Sequence, residues 1–531
     1  MIGEGGTRKP GTLWLQAALV TAFFSALMIR QSMQHGRLAL PPTFDDVSYL
    51  NDGANYLSVL DLQGFVGVLK VYLAAPPHAP MSTGAALAGF ALLGIHDWVG
   101  AVTNAVALLL FSRLYLGIAR DLTVTQSTLL LAVLWSSPFV GITLIWFRPD
   151  MIAALLVAVG AIYVVTRTDW VTNRRAQLTA AAFCGGSLWA KPTIFPLTLA
   201  LFGAAVALVS VSAIRKREFL KVISAGAAMF TVAVLIALPY YAFSFDTIVS
   251  YIHTVMFGSQ TDIWVHPLPP TEALRFYLTG YYGNISIGWW LYGGVIVGFL
   301  ALILLFIKSD TIGLRAALRV IALLIVTYAA VTIPTFKGPH GFPFAAMVLV
   351  AVSLALIVAA RKLPRVIATV FCGFALIVSL WQFEWQFTKD NSYVTQDLSR
   401  RRRAVVADIL NIIGNNVGDK NILFSTSSNF SNFSTLEFEY KQRGIAIPQW
   451  TILHLDGDIA EQKRQIPSAD LVVAYTANFT DTIPNLPTSN PEFREKFIEA
   501  VEQTGLFCDP ATVNDEDAHG AILIFKKRGH G

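Results

Sequence analysis

Long, almost uncharged apolar runs punctuate the chain, and no other feature restricts its possible folds as much. A helix needs about 20 apolar residues to cross the roughly 30 Å hydrocarbon core of a bilayer. Runs of about that length lie at 12–30, 97–118, 124–145, 150–166, 177–194, 195–212, 220–243, 286–307, 316–334, 342–360 and 364–385. They lack the strict alternation of barrel strands. Helices are then the remaining way to satisfy their backbone polar groups in lipid. Charged residues make up 14% of the 531 residues, against about 25% in a soluble domain. That is too little charge to coat a water-facing surface of this size. The expected fold class is a polytopic α-helical membrane protein with about eleven transmembrane helices.

The polar segments between the runs alternate in character. One set is short and basic: Arg8 and Lys9; Arg120; Arg167, Arg174 and Arg175; Arg215 to Lys221; Lys308, Arg315 and Arg319; Arg361, Lys362 and Arg365. The other set, 31–96, 146–149, 244–285 and 335–341, is longer or richer in Asp, His, Pro and aromatic residues. With the N-terminus in the cytoplasm and eleven crossings, every basic loop falls inside, as the positive-inside rule requires. The apolar stretch Met81 to Ile95 is short for a span, and counting it would reverse all later loops. It reads as an interfacial or re-entrant helix within the outer loop 31–96. The first run, Leu13 to Met28, reads as an uncleaved span, since no small-residue cleavage site follows it. The net charge of +5 is concentrated in these loops and does not point to a nucleic-acid partner. Three widely separated cysteines give neither a disulfide framework nor a metal spacing.

Beyond Trp385 the composition becomes that of a soluble protein. Strand-like runs at Asn421 to Ser425, Leu471 to Tyr475 and Ala521 to Phe525, with helical patterns at 398–413 and 491–504, predict a small C-terminal α/β domain. The expected organisation is therefore a transmembrane domain over 1–385 and an extracytoplasmic α/β domain over 386–531. The basic run Arg400 to Arg403 lies just beyond the last span, on the predicted outer side, and reads as a contact with lipid headgroups.

Ionisable residues in or beside the membrane are functional candidates, because burying them is expensive. Asp45 and Asp46 follow Pro41-Pro42-Thr43-Phe44 just after the first span. One can serve as a general base, or the pair can hold a divalent cation such as Mg or Mn. A solvated, acidic helix start explains them as well. His78, in Ala75 to Pro80, can donate to a phosphate or be incidental. Arg148 lies in the turn Trp146 to Asp150, against the sidedness rule, with Asp150 or a lipid phosphate as its partner. Lys191, at the outer end of an apolar run, is a snorkelling lysine or an anion ligand, and Lys337 repeats the pattern. Three such cations on one face point to an anion site. The loop 244–285 mixes His266 and Arg275 with aromatic residues, as either an interfacial belt or a sugar site would.

Taken together, Asp45-Asp46 with Tyr49 behind them, Pro76 to Pro80, Arg148-Pro149-Asp150, Lys191-Pro192 and Lys337 give residues 10–385 a family likeness. The chain resembles the GT-C superfamily of polyprenyl-phosphate-sugar-dependent glycosyltransferases. It is most similar to the protein O-mannosyltransferase and aminoarabinose transferase family, with its bacterial lipopolysaccharide-core-type relatives. The resemblance implies an inverting transfer from a polyprenyl-phosphate-linked sugar to a glycan, lipid or protein acceptor, at the outer face of a bacterial inner membrane. It makes Asp45 the base and assigns the departing phosphate to Lys191, Arg148, His78 and Lys337. Tyr49, Asp150, His266 and Arg275 complete the set as substrate contacts. Some members of the superfamily use a divalent metal, for which Asp45 and Asp46 are the candidates, although Asp46 stands where Glu is more usual. The absence of a Gly-rich nucleotide loop agrees with a lipid-linked donor. A secondary transporter or flippase would instead place ionisable groups near mid-membrane and show inverted repeats. A non-catalytic membrane scaffold would leave Asp45 dispensable.

Overall fold

In the computed structural model the described residues are 8–167, 169–215, 218–258, 260–264, 269–279, 287–288, 290–332, 341–388, 394–484 and 486–529. His266 and Lys337 lie outside them. Helices dominate: α1 (Pro10–His35), α2 (Phe44–Ala74), α3 (Pro80–Leu93), α4 (Val99–Ile118), α5 (Val124–Trp135), α6 (Pro138–Ile145), α7 (Pro149–Thr166), α8 (Arg174–Ala190), α9 (Phe195–Arg215) and α10 (Phe219–Phe257). The short α11 (Thr261–Trp264) and α12 (Pro270–Thr279) follow. Then come α13 (Trp290–Ile307), α14 (Thr311–Thr332), α15 (Phe342–Lys362) and α16 (Arg365–Thr388). Among the described residues, ten helices are long and apolar enough to cross a bilayer, or eleven if the bent pair α5–α6 counts as one span. The protein is a multi-pass integral membrane protein.

The total agrees with the sequence, but its members differ. Helix α8 has only 17 residues and opens on Arg174-Arg175, so it is short for a span. It packs between α7 and α10, where a Cβ on Gly185 would lie 2.7 Å from Ile236 Cβ. A helix sheathed by other helices needs no lipid-facing apolar surface, and its sequence signal is weak for that reason. Helix α2 qualifies over Asp45–Ala74 by length and composition, although the sequence places this stretch in a loop. Its backbone breaks at Gly64, with φ 66° and ψ −171°. The expected span 124–145 is two helices bent by 65°. Ser137 caps the second by accepting from Val140 N, and Pro138 opens it, a combination that starts helices. Helix α10 continues through Pro239 to Phe257, claiming residues that read as loop. Phe243, Phe245, Ile248, Val249 and Ile252 keep its apolar character beyond the expected end.

The chain divides into two compact units: Met1–Ile29, Val59–Ala85 and Gly100–Asp390 form one; Arg30–Ser58, Ala86–Val99 and Asn391–Gly531 form the other. The second unit holds the α/β domain, built from α17 (Gln396–Ile413), α18 (Phe433–Gln442), α19 (Ile459–Gln465), α20 (Pro491–Gln503) and five strands. The strands are β1 (Asn421–Phe424), β2 (Gln449–Ile452), β3 (Leu471–Tyr475), β4 (Ala511–Asp515) and β5 (Gly520–Lys526), in the sheet order β2-β1-β3-β5-β4. Strand β1 runs parallel to β2 and β3, while β5 pairs antiparallel with β3 and β4. The period of two is explicit. Ile422, Phe424, Leu471, Val473, Ile522 and Ile524 face a core that includes Val406, Ile409 and Leu410 of α17. Leu423, Val472, Ala474 and Phe525 face the other core, with Phe497 and Val501 of α20.

Candidate functional site

The sequence-derived site residues separate into two groups, one in each unit. In the transmembrane unit, two helix ends supply the charges. Lys191 is the C-terminal cap of α8, and Asp150 lies in the first turn of α7. Lys191 Nζ stands 3.1 Å from Asp150 Oδ1, with side chains 15% and 13% accessible. This is a largely buried ion pair, so neither charge is a snorkelling surface group. Arg148 occupies the N-cap position of α7 in extended conformation, and its guanidinium stacks 4.8 Å from the centroid of the Trp146 ring. That geometry holds the cation by its flat face. Asn104 of α4 fixes the same turn by donating to the carbonyls of Thr143, Leu144 and Trp146 at 2.9, 3.3 and 3.1 Å. Gly100 completes the arrangement: a Cβ there would meet Phe147 Cγ at 2.7 Å.

His78, in the connection from α2 to α3, joins this group. Its ring packs edge-on against Tyr251 of α10, with centroids 5.7 Å apart. The imidazole is exposed yet densely surrounded by protein. Burial pushes its pKa down to about 4, the nearby Lys191 ammonium pushes the same way, and Asp150 opposes them. At neutral pH the ring is therefore uncharged and can donate from one nitrogen and accept at the other. Tyr241 of α10 donates to Pro192 O at 2.9 Å, tying α10 to the turn that carries Lys191. Tyr251 leaves no signal in the sequence, where residue 251 falls within the expected loop 244–285.

In the second unit, α2 begins with the acidic pair. Consecutive helix positions diverge by about 100°, and the two carboxylates have different surroundings. Asp45 is exposed, whereas Asp46 is 4% exposed. Asp46 Oδ2 lies 3.4 Å from Arg37 Nη2. The same guanidinium donates to Pro41 O at 3.0 Å and to Thr43 Oγ1 at 2.9 Å. Arg37 thus ties the chain entering α2 to the first turn of that helix. Tyr49, one turn further along, is buried. Asn51 donates to Ser434 O at 2.8 Å, and Lys441 donates to Asn51 O at 3.1 Å.

A divalent cation fits this acidic segment poorly. Asp46 already has a guanidinium partner, and the described residues contain no group of three or more His, Cys, Asp or Glu side chains arranged to hold a metal. Arg275 is an exposed residue of α12. The run Arg400 to Arg403 departs from the headgroup expectation. Arg401 pairs with Asp397 and with Asp517, and Arg402 with Asp515 at 2.6 Å. Arg403 donates to backbone carbonyls. Three of the four arginines are therefore engaged with protein.

The fold defines a class: a multi-pass membrane protein carrying a small α/β domain. Two crystal structures of ArnT from Cupriavidus metallidurans share the fold. The apo structure matches with a TM-score of 0.56 at 10% identity, over 96% of this chain and 97% of that one. The structure bound to undecaprenyl phosphate matches with a TM-score of 0.57 at 12% identity, over the same shares. No protein-family model matches the sequence, and no curated protein does. The GT-C fold expected from the sequence is thus the one found.

Proposed function

We propose that this protein is a polyprenyl-phosphate-sugar-dependent glycosyltransferase of the bacterial inner membrane, acting at its outer face. The observation that carries the reading is the cationic group around the buried Asp150–Lys191 pair, in a chain whose fold is also that of ArnT bound to undecaprenyl phosphate. Lys191, Arg148 and the neutral His78 present positive charge and N–H donors of the kind that stabilise a departing phosphate. Asp150 holds Lys191 in place.

The chemistry follows from the residue types. Asp45, the more accessible carboxylate, takes the proton from the acceptor's nucleophile. The nucleophile attacks the anomeric carbon opposite the phosphate. The bond from carbon to phosphate oxygen breaks, its electron pair leaves on the polyprenyl phosphate, and the anomeric centre inverts. Asp46, tied to Arg37, orients the segment. Tyr49 and Arg275 stand as substrate contacts, as do His266 and, for the phosphate, Lys337, both outside the described residues. The α/β domain lies outside the cell if α8 crosses the membrane and α2, broken at Gly64, does not. The positive-inside distribution then holds for every loop.

The test is a transfer assay in nanodiscs, with extracted bacterial membrane lipid as the donor pool, comparing the wild type with Asp45→Asn at matched folding. Wild-type consumption of a polyprenyl-phosphate sugar, reduced roughly 10³-fold by the substitution, is the expected result. Equal turnover by both proteins removes Asp45 from the role of base. No turnover by the wild type, from a pool shown to contain donor, removes the transferase reading.

A further inference from the structure

The chain entering α2 has an unusual backbone environment. Residues 38–42 are buried, pair with no strand, and include two prolines that lack an N–H. Leu38 and Ala39 close a 3-10 turn over Arg37–Ala39, and the buried carbonyls from Leu38 onward need partners beyond it, which side chains supply. Arg403 Nη2 donates to Leu38 O at 3.0 Å and Leu40 O at 3.2 Å, and its Nε donates to Ala39 O at 2.8 Å. Ser399 Oγ, one turn earlier on α17, also donates to Ala39 O, at 2.6 Å. Arg37 takes Pro41 O, and Thr435 Oγ1 of α18 takes Pro42 O at 2.9 Å. Val394 N donates to His35 O at 2.8 Å, at the end of α1. Each carbonyl from Leu38 to Pro42 therefore has a side-chain donor, and three of the four donating residues belong to the C-terminal domain. A guanidinium fork is the side chain whose fixed geometry suits three consecutive acceptors.

We propose that Arg403, with Thr435 and Ser399 in support, is a positioning residue: the C-terminal α/β domain sets the backbone that presents Asp45. This rests on the reading of Asp45 as the base. Arg403 keeps 44% of its side chain accessible, so its value lies in geometry rather than in burial. A misplacement of about 1 Å at a reacting group costs roughly 10²-fold in rate. Such a loss falls on kcat, because the groups proposed to hold the donor phosphate lie elsewhere in the chain.

The experiment measures kcat and donor KM for the full-length protein in nanodiscs, for Arg403→Ala, Arg403→Lys and Thr435→Val, each alone and combined with Asp45→Asn. Arg403→Ala is expected to lower kcat roughly 10²-fold with donor KM within about 3-fold of wild type. Arg403→Lys, with one compact cation in place of the fork, is expected to lie between. In the Asp45→Asn background Arg403→Ala is expected to have no further effect, since the group it positions is already gone. A merely structural role would lower both backgrounds alike, and that outcome overturns the proposal. So does an unchanged kcat in Arg403→Ala while Asp45→Asn is inactive. If Asp45→Asn is itself fully active, the reading of the base fails and this proposal falls with it. Should Arg403→Ala not fold, Thr435→Val decides by the same criteria, through the single bond to Pro42 O.

Discussion

Lys191 and Asp150 carry opposite charges at two helix ends and shield each other from a poorly solvated environment. Removing one leaves the other charge buried without its counter-ion, at a cost of about 1–3 kcal/mol for a pair still partly accessible. We expect Lys191→Met and Asp150→Asn to lower the melting temperature in detergent to similar extents. Only Lys191→Met should also remove a phosphate-stabilising cation, with a loss of roughly 10²-fold or more in transfer. Wild-type transfer by a folded Lys191→Met variant would assign Lys191 a structural role alone. His78 makes a second case. Its folded pKa, about 4, lies below the ordinary 6.5, so on acidification the unfolded chain takes up the proton first. The stability is present above pH 6.5 and is lost as pH falls toward 4. A melting-temperature scan of wild type and His78→Gln across that range should give a difference curve that bends within it. A flat difference would show that the imidazole is not held in its neutral form. His454, also pushed down to about 4 by burial, is common to both proteins and cancels. The charged members of this group were legible in sequence because a charge in an apolar run is conspicuous. Arg37 and Asn104 carry no such signal, and Arg403 reads as part of a headgroup-binding run, because Asn104 and Arg403 bond mainly to backbone carbonyls and Arg37 to its own segment, which leaves no residue-type signature.

At the scale of elements, legibility followed environment. The three strands expected from sequence are central: β1, β3 and β5 carry alternating residues into two cores. The two without a clear sequence signal, β2 and β4, are the sheet edges, where short, more polar strands such as Gln449–Ile452 and Ala511–Asp515 are normal. In the membrane region, α8 has only 17 residues and a weak apolar signal, while α2, which reads as part of an outer loop, is long and apolar enough to count as a span. Helix α2 contains the element whose backbone is easiest to test. The conformation of Gly64, φ 66° and ψ −171°, belongs almost exclusively to glycine. Nothing lies within 4 Å of a Cβ placed there, so a clash plays no part. Gly64→Ala should destabilise the protein by about 1–3 kcal/mol through backbone strain alone. Gly84→Ala, which also meets nothing within 4 Å but at an ordinary helical φ, is the matched control and should be neutral or slightly stabilising. Equal melting temperatures for the two variants would mean that α2 does not keep its break in solution.

For the whole molecule, the decisive quantity is the parity of membrane crossings. If α8 crosses and α2 does not, the number is odd and the α/β domain lies opposite the N-terminus. If both cross, or neither does, the domain shares the side of the N-terminus, and every basic loop between them and the C-terminus changes its assignment. The broken backbone of α2 and the membership of its first part, up to Ser58, in the α/β unit favour the odd count. So does the positive-inside rule. The chain carries its own reporter: Cys508 of the α/β domain is exposed, whereas Cys184 and Cys372 are buried. Intact spheroplasts treated with a membrane-impermeant maleimide should label the protein at Cys508, and Cys508→Ser should abolish the signal. Permeabilisation should add little. Labelling that appears only after permeabilisation would put the domain, and with it Asp45 and the segment held by Arg403, on the cytoplasmic side. A polyprenyl-linked donor presented at the outer face would then be out of reach of the proposed base, and α2 and α8 would have to cross together or not at all.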